Sequence, residues 1–390
     1  MSREPGRADQ VPADQPLHEN ARAEQATEEA QVDKGQPGPG QRRGQLRGPS
    51  VARGAVPSRS GCIVIDKPAG LTSHDVVGKV RRLAATKKVG HAGTLDPMAT
   101  GVLVVGIGAA TRLLTHITGT DKEYLASIRL GVGTTTDDAD GEVLSTPGCA
   151  ALDPQHLAAA MANLTGQIMQ VPATVSAIKV DGVRSYARVR AGEDVELAAR
   201  PVEVPVFELT AAPEPKTVVV GLPATPPGED EDRAAGGNVG HLQESLEVVD
   251  LHVRVVCSAG TYIRALARDL GQALGSAGHL TMLRRTRVGS FTAAQAVSLE
   301  QASAQVEADA AGQAPSGLAV VPLTEVVAAE FRVRTVDEEQ AQALRRGMFL
   351  PAQPGQAPGA AIGPDGAVAL LRRQGNYDRP YVVFPANIEG

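Results

Sequence analysis

One short segment constrains this chain more than any other: Gly90-His91-Ala92-Gly93-Thr94-Leu95-Asp96-Pro97, followed closely by the apolar run Val102-Leu103-Val104-Val105. Two glycines and a proline interrupt any regular element, so the segment reads as a turn at the mouth of a buried strand. Asp96 is the only acid in that turn. Residue chemistry alone leaves it two roles. Aspartate before proline is an ordinary helix start, with the carboxylate capping free N–H groups, as Asp153-Pro154 also reads. A lone carboxylate beside a histidine at a strand end is also a candidate nucleophile or base, though residue spacing alone favours the cap.

Around this turn the chain divides by composition. Residues 1–58 are rich in Gln, Pro, Gly, Arg and Glu and poor in large apolar side chains, so they read as a disordered tail. The stretch 213–246, containing TPPGEDEDRAAGGN, reads as an acidic, solvated loop joining two strands, one over 202–207 and one over 251–255. Thr72 or Ser73 caps a helix with Val76, Val80 and Leu83 on one face, and Asp153-Pro154 opens a second helix. Ile263, Leu266, Ala267 and Leu270 mark a third, closed by Gly271. Short strands alternating with such helices predict an α+β fold with a largely antiparallel sheet. From about 318 the pattern changes to short strands and turns, with a helix near 337–346 ended by Gly347.

Several blocks occur together in one order. They are CIVIDKPAGLTSHDVV (62–77), KKVGHAGTLDPMATGVLVVGIGAATRLL (87–114), DKEYLASIRLGVGTTTDDADGEV (121–143), VPATVSAIKVDGVRSYARVRAGE (171–193), VVCSAGTYIRALARDLG (255–271) and GHLTMLRRTRVGSF (278–291). Over residues 60–300 the chain resembles the TruB family of tRNA pseudouridine synthases. The resemblance implies a pseudouridine synthase-like catalytic domain over 59–312, interrupted by the acidic loop. A small β-rich, PUA-like RNA-binding domain would follow over 318–390. It also implies an isomerase acting without cofactor or metal on the T-loop uridine at the tRNA position conventionally numbered 55.

By the same resemblance Asp96 is the catalytic carboxylate. Arg264 pairs with it, Tyr124 stacks on the flipped base, Tyr262 supports Arg264, His91 helps displace the uridine and Leu283 lines the pocket. Lys67, in the Lys67-Pro68 motif, would support the catalytic loop, and Lys179 would take a structural or phosphate role. A guide-RNA-directed, dyskerin-like enzyme and a non-catalytic tRNA-binding protein on the same scaffold are the alternatives.

The formal net charge of -6 argues against a polyanionic partner, but the charge is unevenly placed. Residues 59–100 and 254–287 are net basic, with Arg264, Arg268, Arg284, Arg285 and Arg287 in the second run. Both read as a phosphate track for the T-arm. Two further patterns are weak: Gly106-Ile107-Gly108 lacks the last glycine and acid of a dinucleotide turn, and Asp137-Asp138-Ala139-Asp140 lacks the spacing of a calcium loop. The latter reads as a solvated hairpin loop. Cys62, Cys149 and Cys257 form neither a disulfide framework nor a zinc motif. A cytoplasmic monomer without membrane contact is the expectation.

Overall fold

Two strands with apolar residues at nearly every position lie mid-sheet, covered on both faces. β1 (Gly61–Lys67) pairs antiparallel with β3 (Thr100–Ile107), placing Gly61 opposite Ile107 and Lys67 opposite Gly101. Continuous hydrophobic runs of this kind are what two-sided burial demands. The computed structural model describes residues 48–172, 179–180, 183–184, 198–222, 242–355 and 357–386.

Further elements before residue 320 include α1 (Ser73–Leu83), β2 (Val89–His91), β4 (Lys122–Leu130), β5 (Gly133–Thr134), β6 (Val143–Ser145), α2 (Pro154–Asn163), β7 (Gly166–Gln170), β8 (Arg200–Val204), β9 (Val206–Leu209), β10 (Glu214–Leu222), β11 (Leu242–Cys257), α3 (Ile263–Ala273), β12 (Gly278–Val288) and α4 (Leu299–Ala310). Strand β13 (Val321–Pro322) and helix α5 (Leu323–Glu330) follow. The main sheet has ten strands, running β9-β11-β4-β12-β3-β1-β13, with β10 on β11, β2 on β3 and the two-residue strand Phe291–Thr292 on β12. Only the β12–β3 pair is parallel among the described pairings of this sheet. That crossing closes the site. Tyr124 of β4 lies opposite Arg285 of β12, and Arg285 lies opposite Gly101 of β3, so one rung of the sheet spans all three strands.

Gly101 permits that rung. Its φ is +101°, and a Cβ there would sit 2.2 Å from the Arg285 carbonyl oxygen. Gly271 serves the same end rather than closing its helix. α3 continues to Ala273, and a Cβ on Gly271 would lie 2.3 Å from the Gly278 nitrogen where β12 begins. Helix α1 is capped by Thr72 in a capping box with Asp75, and α2 by Asp153.

Two boundaries read from composition fall elsewhere. Residues 48–58 were grouped with the tail, yet Val51 is buried, the Ala52 N–H is bound by Ser303 Oγ at 2.8 Å, and Gly54 and Ser58 donate to Arg82 and Ala84 carbonyls. A few backbone bonds and one valine were too small a signal for composition to register. Residues 1–47 lie outside the described residues. Starting the chain at residue 59 rather than 48 is expected to lower the melting temperature by about 2–3 °C, because burying one valine contributes about 1.5–2 kcal/mol. Equal melting temperatures for the two truncations would show the segment contributes nothing.

The acidic stretch 213–246 is likewise not a loop at its ends. Glu214–Leu222 and Leu242–Cys257 pair antiparallel from Glu214↔Asp250 to Leu222↔Leu242. Lys216 bridges Glu214 and Asp250 at 3.0 and 2.9 Å. The run Thr217-Val218-Val219-Val220 outweighs the flanking prolines and acids. Residues 223–241 lie outside the described set.

The C-terminal sheet, β14 (Val333–Thr335), β15 (Leu350–Pro351), β16 (Ala360–Gly363), β17 (Gly366–Gln374) and β18 (Tyr377–Val383), runs in the order β14-β16-β17-β18-β15 with α6 (Glu338–Arg345) against it. One side encloses a small core of Val336, Leu344, Val368 and Leu371. The other shares a core with the main sheet, where Leu370 and Phe384 join Val104, Ile117 and Leu323. β13 and α5 belong to this junction, since β13 pairs with β1.

Candidate active site

The Asp96 turn is shaped by two buried cations and a serine. Lys67, fully buried at the end of β1, donates from Nζ to the carbonyls of Pro68, Leu71 and Pro97 at 2.9, 2.7 and 3.1 Å. Burial pulls its pKa down to about 8. Arg285, 1% exposed, donates to the carbonyls of Val102, Thr94 and Gly93 at 2.8, 3.3 and 3.2 Å. Ser73 Oγ accepts the Leu95 N–H at 2.9 Å. A glycine-rich turn cannot satisfy its own carbonyls, and these side chains do so from three separate elements.

Asp96 projects from this turn with a third of its side chain exposed. Arg264, on the first turn of α3 and only 6% exposed in its side chain, meets it with Nε–Oδ2 at 3.0 Å and Nη2–Oδ1 at 3.4 Å. The same guanidinium donates to the Thr136 carbonyl at 2.8 Å and lies 3.5 Å from Asp138 Oδ2. One cation therefore faces two carboxylates.

Asp138 carries no clear signal in the sequence. The 137–140 run reads as solvated, yet Asp138 is 5% exposed and its carboxylate accepts from Thr136 Oγ1 and the Asp140 N–H. Asp137 adopts φ +58°, the left-handed turn that swings Asp138 inward, and pairs with Arg268 at 3.1 Å. Burial raises the pKa of both acids.

Tyr124 and Leu283 close the apolar side with Leu95 and Ala99, all buried in one cluster. Burial pushes the Tyr124 phenol upward, so it stays protonated at neutral pH. Tyr262, half-buried, is the N-cap of α3; its backbone N–H and carbonyl are both held by the Gln170 amide, at 2.8 and 3.0 Å. Gln170 is a second residue missed from the sequence. The side chain of Lys179 lies outside the described residues.

His91 is 7% exposed, its Nδ1 has no hydrogen-bond partner, and its ring meets His74 edge-on at 5.9 Å. Burial lowers its pKa to about 4. The unfolded chain takes up a proton near pH 6.5 that the folded chain refuses, so stability present above 6.5 is lost as pH falls toward 4. Between about pH 7 and 4.5 this group should cost the wild type about 2–3 kcal/mol that His91→Gln retains, read by denaturant titration. Parallel acid limbs would mean the imidazole is protonated in the fold.

The second basic run is ion-paired within the molecule, with Arg254, Arg284 and Arg287 still partly exposed. Arg254 pairs with Glu123 and Glu208, Arg268 with Asp137 and Asp269, Arg284 with Asp66 at 2.8 Å, and Arg287 with Asp121 at 2.6 Å. Arg285 is buried. Apart from Asp269, the paired acids lie far away in the chain, so charge counted along the sequence does not register the pairing. A groove of ≈ 940 Å³ lies elsewhere, lined by Leu157, Met161, Phe207 and Leu209, and Asp96 is not in it. Among the described residues no helix is long and apolar enough to cross a membrane, and no His, Cys, Asp and Glu cluster suits a metal.

Three family models match the chain. These are the N-terminal domain of TruB family pseudouridylate synthases over residues 81–221, a tRNA pseudouridylate synthase B C-terminal domain over 264–328, and a tRNA pseudouridine synthase II C-terminal domain over 331–385. The tRNA pseudouridine synthase B of Arthrobacter sp. is 48% identical over 84% of this chain and 98% of its own length. Its namesake in Thermobifida fusca is 47% identical over 83% and 98%. A solved Cbf5-Nop10-Gar1 complex contains a chain of the same fold, 23% identical with a TM-score of 0.56, covering 84% of this chain and 86% of that one. The fold is that of pseudouridine synthases, and the chain belongs to the TruB pseudouridylate synthase family.

Proposed function

We propose that the protein is a tRNA pseudouridine synthase that isomerises the T-loop uridine conventionally numbered 55, with Asp96 as its catalytic carboxylate. The observation that carries this reading is the Arg264–Asp96 pair at 3.0 Å, set beside buried Tyr124 and Leu283, in a chain 48% identical to a protein named tRNA pseudouridine synthase B. Moving a uracil from an N- to a C-glycosidic bond needs an ionised carboxylate near the sugar and a closed pocket that keeps the base. Arg264 holds the Asp96 carboxylate in a fixed orientation through two charge-assisted hydrogen bonds. Tyr124 stacks on the flipped base and holds a phenolic proton for exchange at C5, while Leu283 lines the pocket. Neutral His91 helps displace the uridine, and Tyr262 supports Arg264. The chemistry calls for no cofactor and no metal.

Relatives at 46–48% identity are named tRNA pseudouridine synthase B, whereas the Cbf5 chains share the fold at 22–23%. That contrast favours a stand-alone tRNA enzyme over a guide-RNA-directed one. Retention of Asp96, Tyr124 and Arg264 in one pocket favours catalysis over binding alone. A monomer working in the cytoplasm on the T-arm is the accompanying inference. Exposed Lys87 and Lys88, just ahead of β2, are available for phosphate contacts. Residues 333–383 read as the PUA-like RNA-binding domain: Tyr377, Arg379 and Tyr381 share one face of β18, with Arg379 over Phe349 at 5.3 Å and Arg372 over Tyr381 at 5.2 Å.

Tritium release tests the proposal. Transcript carrying C5-tritiated uridine should lose one equivalent of tritium to water per tRNA. Bound tRNA with no release would sink it.

A further inference from the structure

We infer that Gln170 is a positioning residue for the Arg264–Asp96 pair, acting through the first turn of α3; its activity readout rests on the isomerase reading above. The helix that aims Arg264 has an unfavourable beginning. Tyr262 at the N-cap makes no side-chain capping bond, and no acid lies in the first turn. Arg264 itself puts a cation at the positive end of the helix dipole.

What fixes the start comes from another strand. Gln170, the last residue of β7 and 1% exposed, donates from Nε2 to the Tyr262 carbonyl at 3.0 Å and accepts the Tyr262 N–H on Oε1 at 2.8 Å. One turn farther along, Arg268 donates to the Val171 carbonyl at 2.7 Å. Consecutive residues 170 and 171 thus clip α3 at two points, and between those points Arg264 leaves the helix for Asp96, the Thr136 carbonyl and Asp138. A displacement of about 1 Å in such a group lowers turnover about a hundredfold.

The chemistry of the clip is specific. A glutamine offers one acceptor and one donor at this reach; a glutamate offers only acceptors until it is protonated, and would set an oxygen against the Tyr262 carbonyl. A methionine fills the space and bonds to neither group.

The test compares full-length wild type, Gln170→Glu and Gln170→Met at low temperature. Turnover on tRNA transcript is followed between about pH 5.5 and 8.5. The Arg264 Nε–H resonance is followed in RNA-free protein labelled with ¹⁵N-arginine. At about pH 8 the kcat of Gln170→Glu should fall roughly thirtyfold or more with KM within threefold, and the deficit should shrink as pH falls and the carboxyl regains a donor. Gln170→Met should show a deficit that does not vary with pH. The Arg264 resonance should move in both variants and return in Gln170→Glu at low pH.

Turnover within twofold of wild type at every pH, or an unmoved resonance, overturns the inference. So does failure of both variants to fold, which would make Gln170 a support of the fold as a whole. If wild type makes no pseudouridine, the functional reading falls while the resonance still decides the positioning role.

Discussion

Asp96→Asn is expected to reduce pseudouridine formation by roughly 10⁴-fold or more while tRNA affinity stays within tenfold of wild type, about 1.4 kcal/mol. The amide keeps the size of the side chain and an oxygen for Arg264, now 3.0 Å from Asp96 Oδ2. What it removes is the negative charge. Because Asp96 lies in a turn held by Lys67, Ser73 and Arg285 rather than by its own carboxylate, the substitution should leave the fold intact. Arg264→Gln should also suppress turnover strongly, and the double variant should be little worse than either single one, since both changes dismantle one unit. Single-turnover assays with mass spectrometry to exclude deamidation check this. Appreciable product from Asp96→Asn would move the catalytic role elsewhere.

Arg285→Met should lower the stability of the chain by about 3–5 kcal/mol, the range found when a buried cation is deleted and its acceptors are left unpaired. The carbonyls of Val102, Thr94 and Gly93 would all lose their donor. Turnover should fall with it, because Gly93 and Thr94 lead directly into Asp96. The salt dependence of tRNA binding should not change, as a residue 1% exposed does not reach a phosphate. An unaltered melting temperature with a shallower salt slope would instead return Arg285 to the RNA surface.

Arg285 also shows what a sequence conceals. Its neighbours in the chain are basic, and counting charge along the chain does not separate the buried Arg285 from its partly exposed neighbours; folding brings Asp66, Asp121 and Glu123 to that strand from far away in the sequence. The helices at 73 and 154 were legible from capping residues and apolar spacing, and the one at 263 from apolar spacing alone, all of them local signals. Fold class followed from the same periodicities and from the family blocks. Residues 48–58 and the hairpin at 214–222 were not legible, since their order depends on partners up to 260 positions away or on a strand beyond the acidic stretch. Asp138 and Gln170 belong to the same class: polar residues whose burial is decided by a left-handed turn and by a helix start, neither of which has a pattern of its own.

The most direct measurement is the mapping of pseudouridine in unmodified tRNA transcript after incubation with the purified chain, with chelator present and without guide RNA or added cofactor. Near-complete conversion of the T-loop uridine at position 55, absent with Asp96→Asn, is the predicted result. No product, product only with an added guide RNA, or product that persists in Asp96→Asn would contradict it.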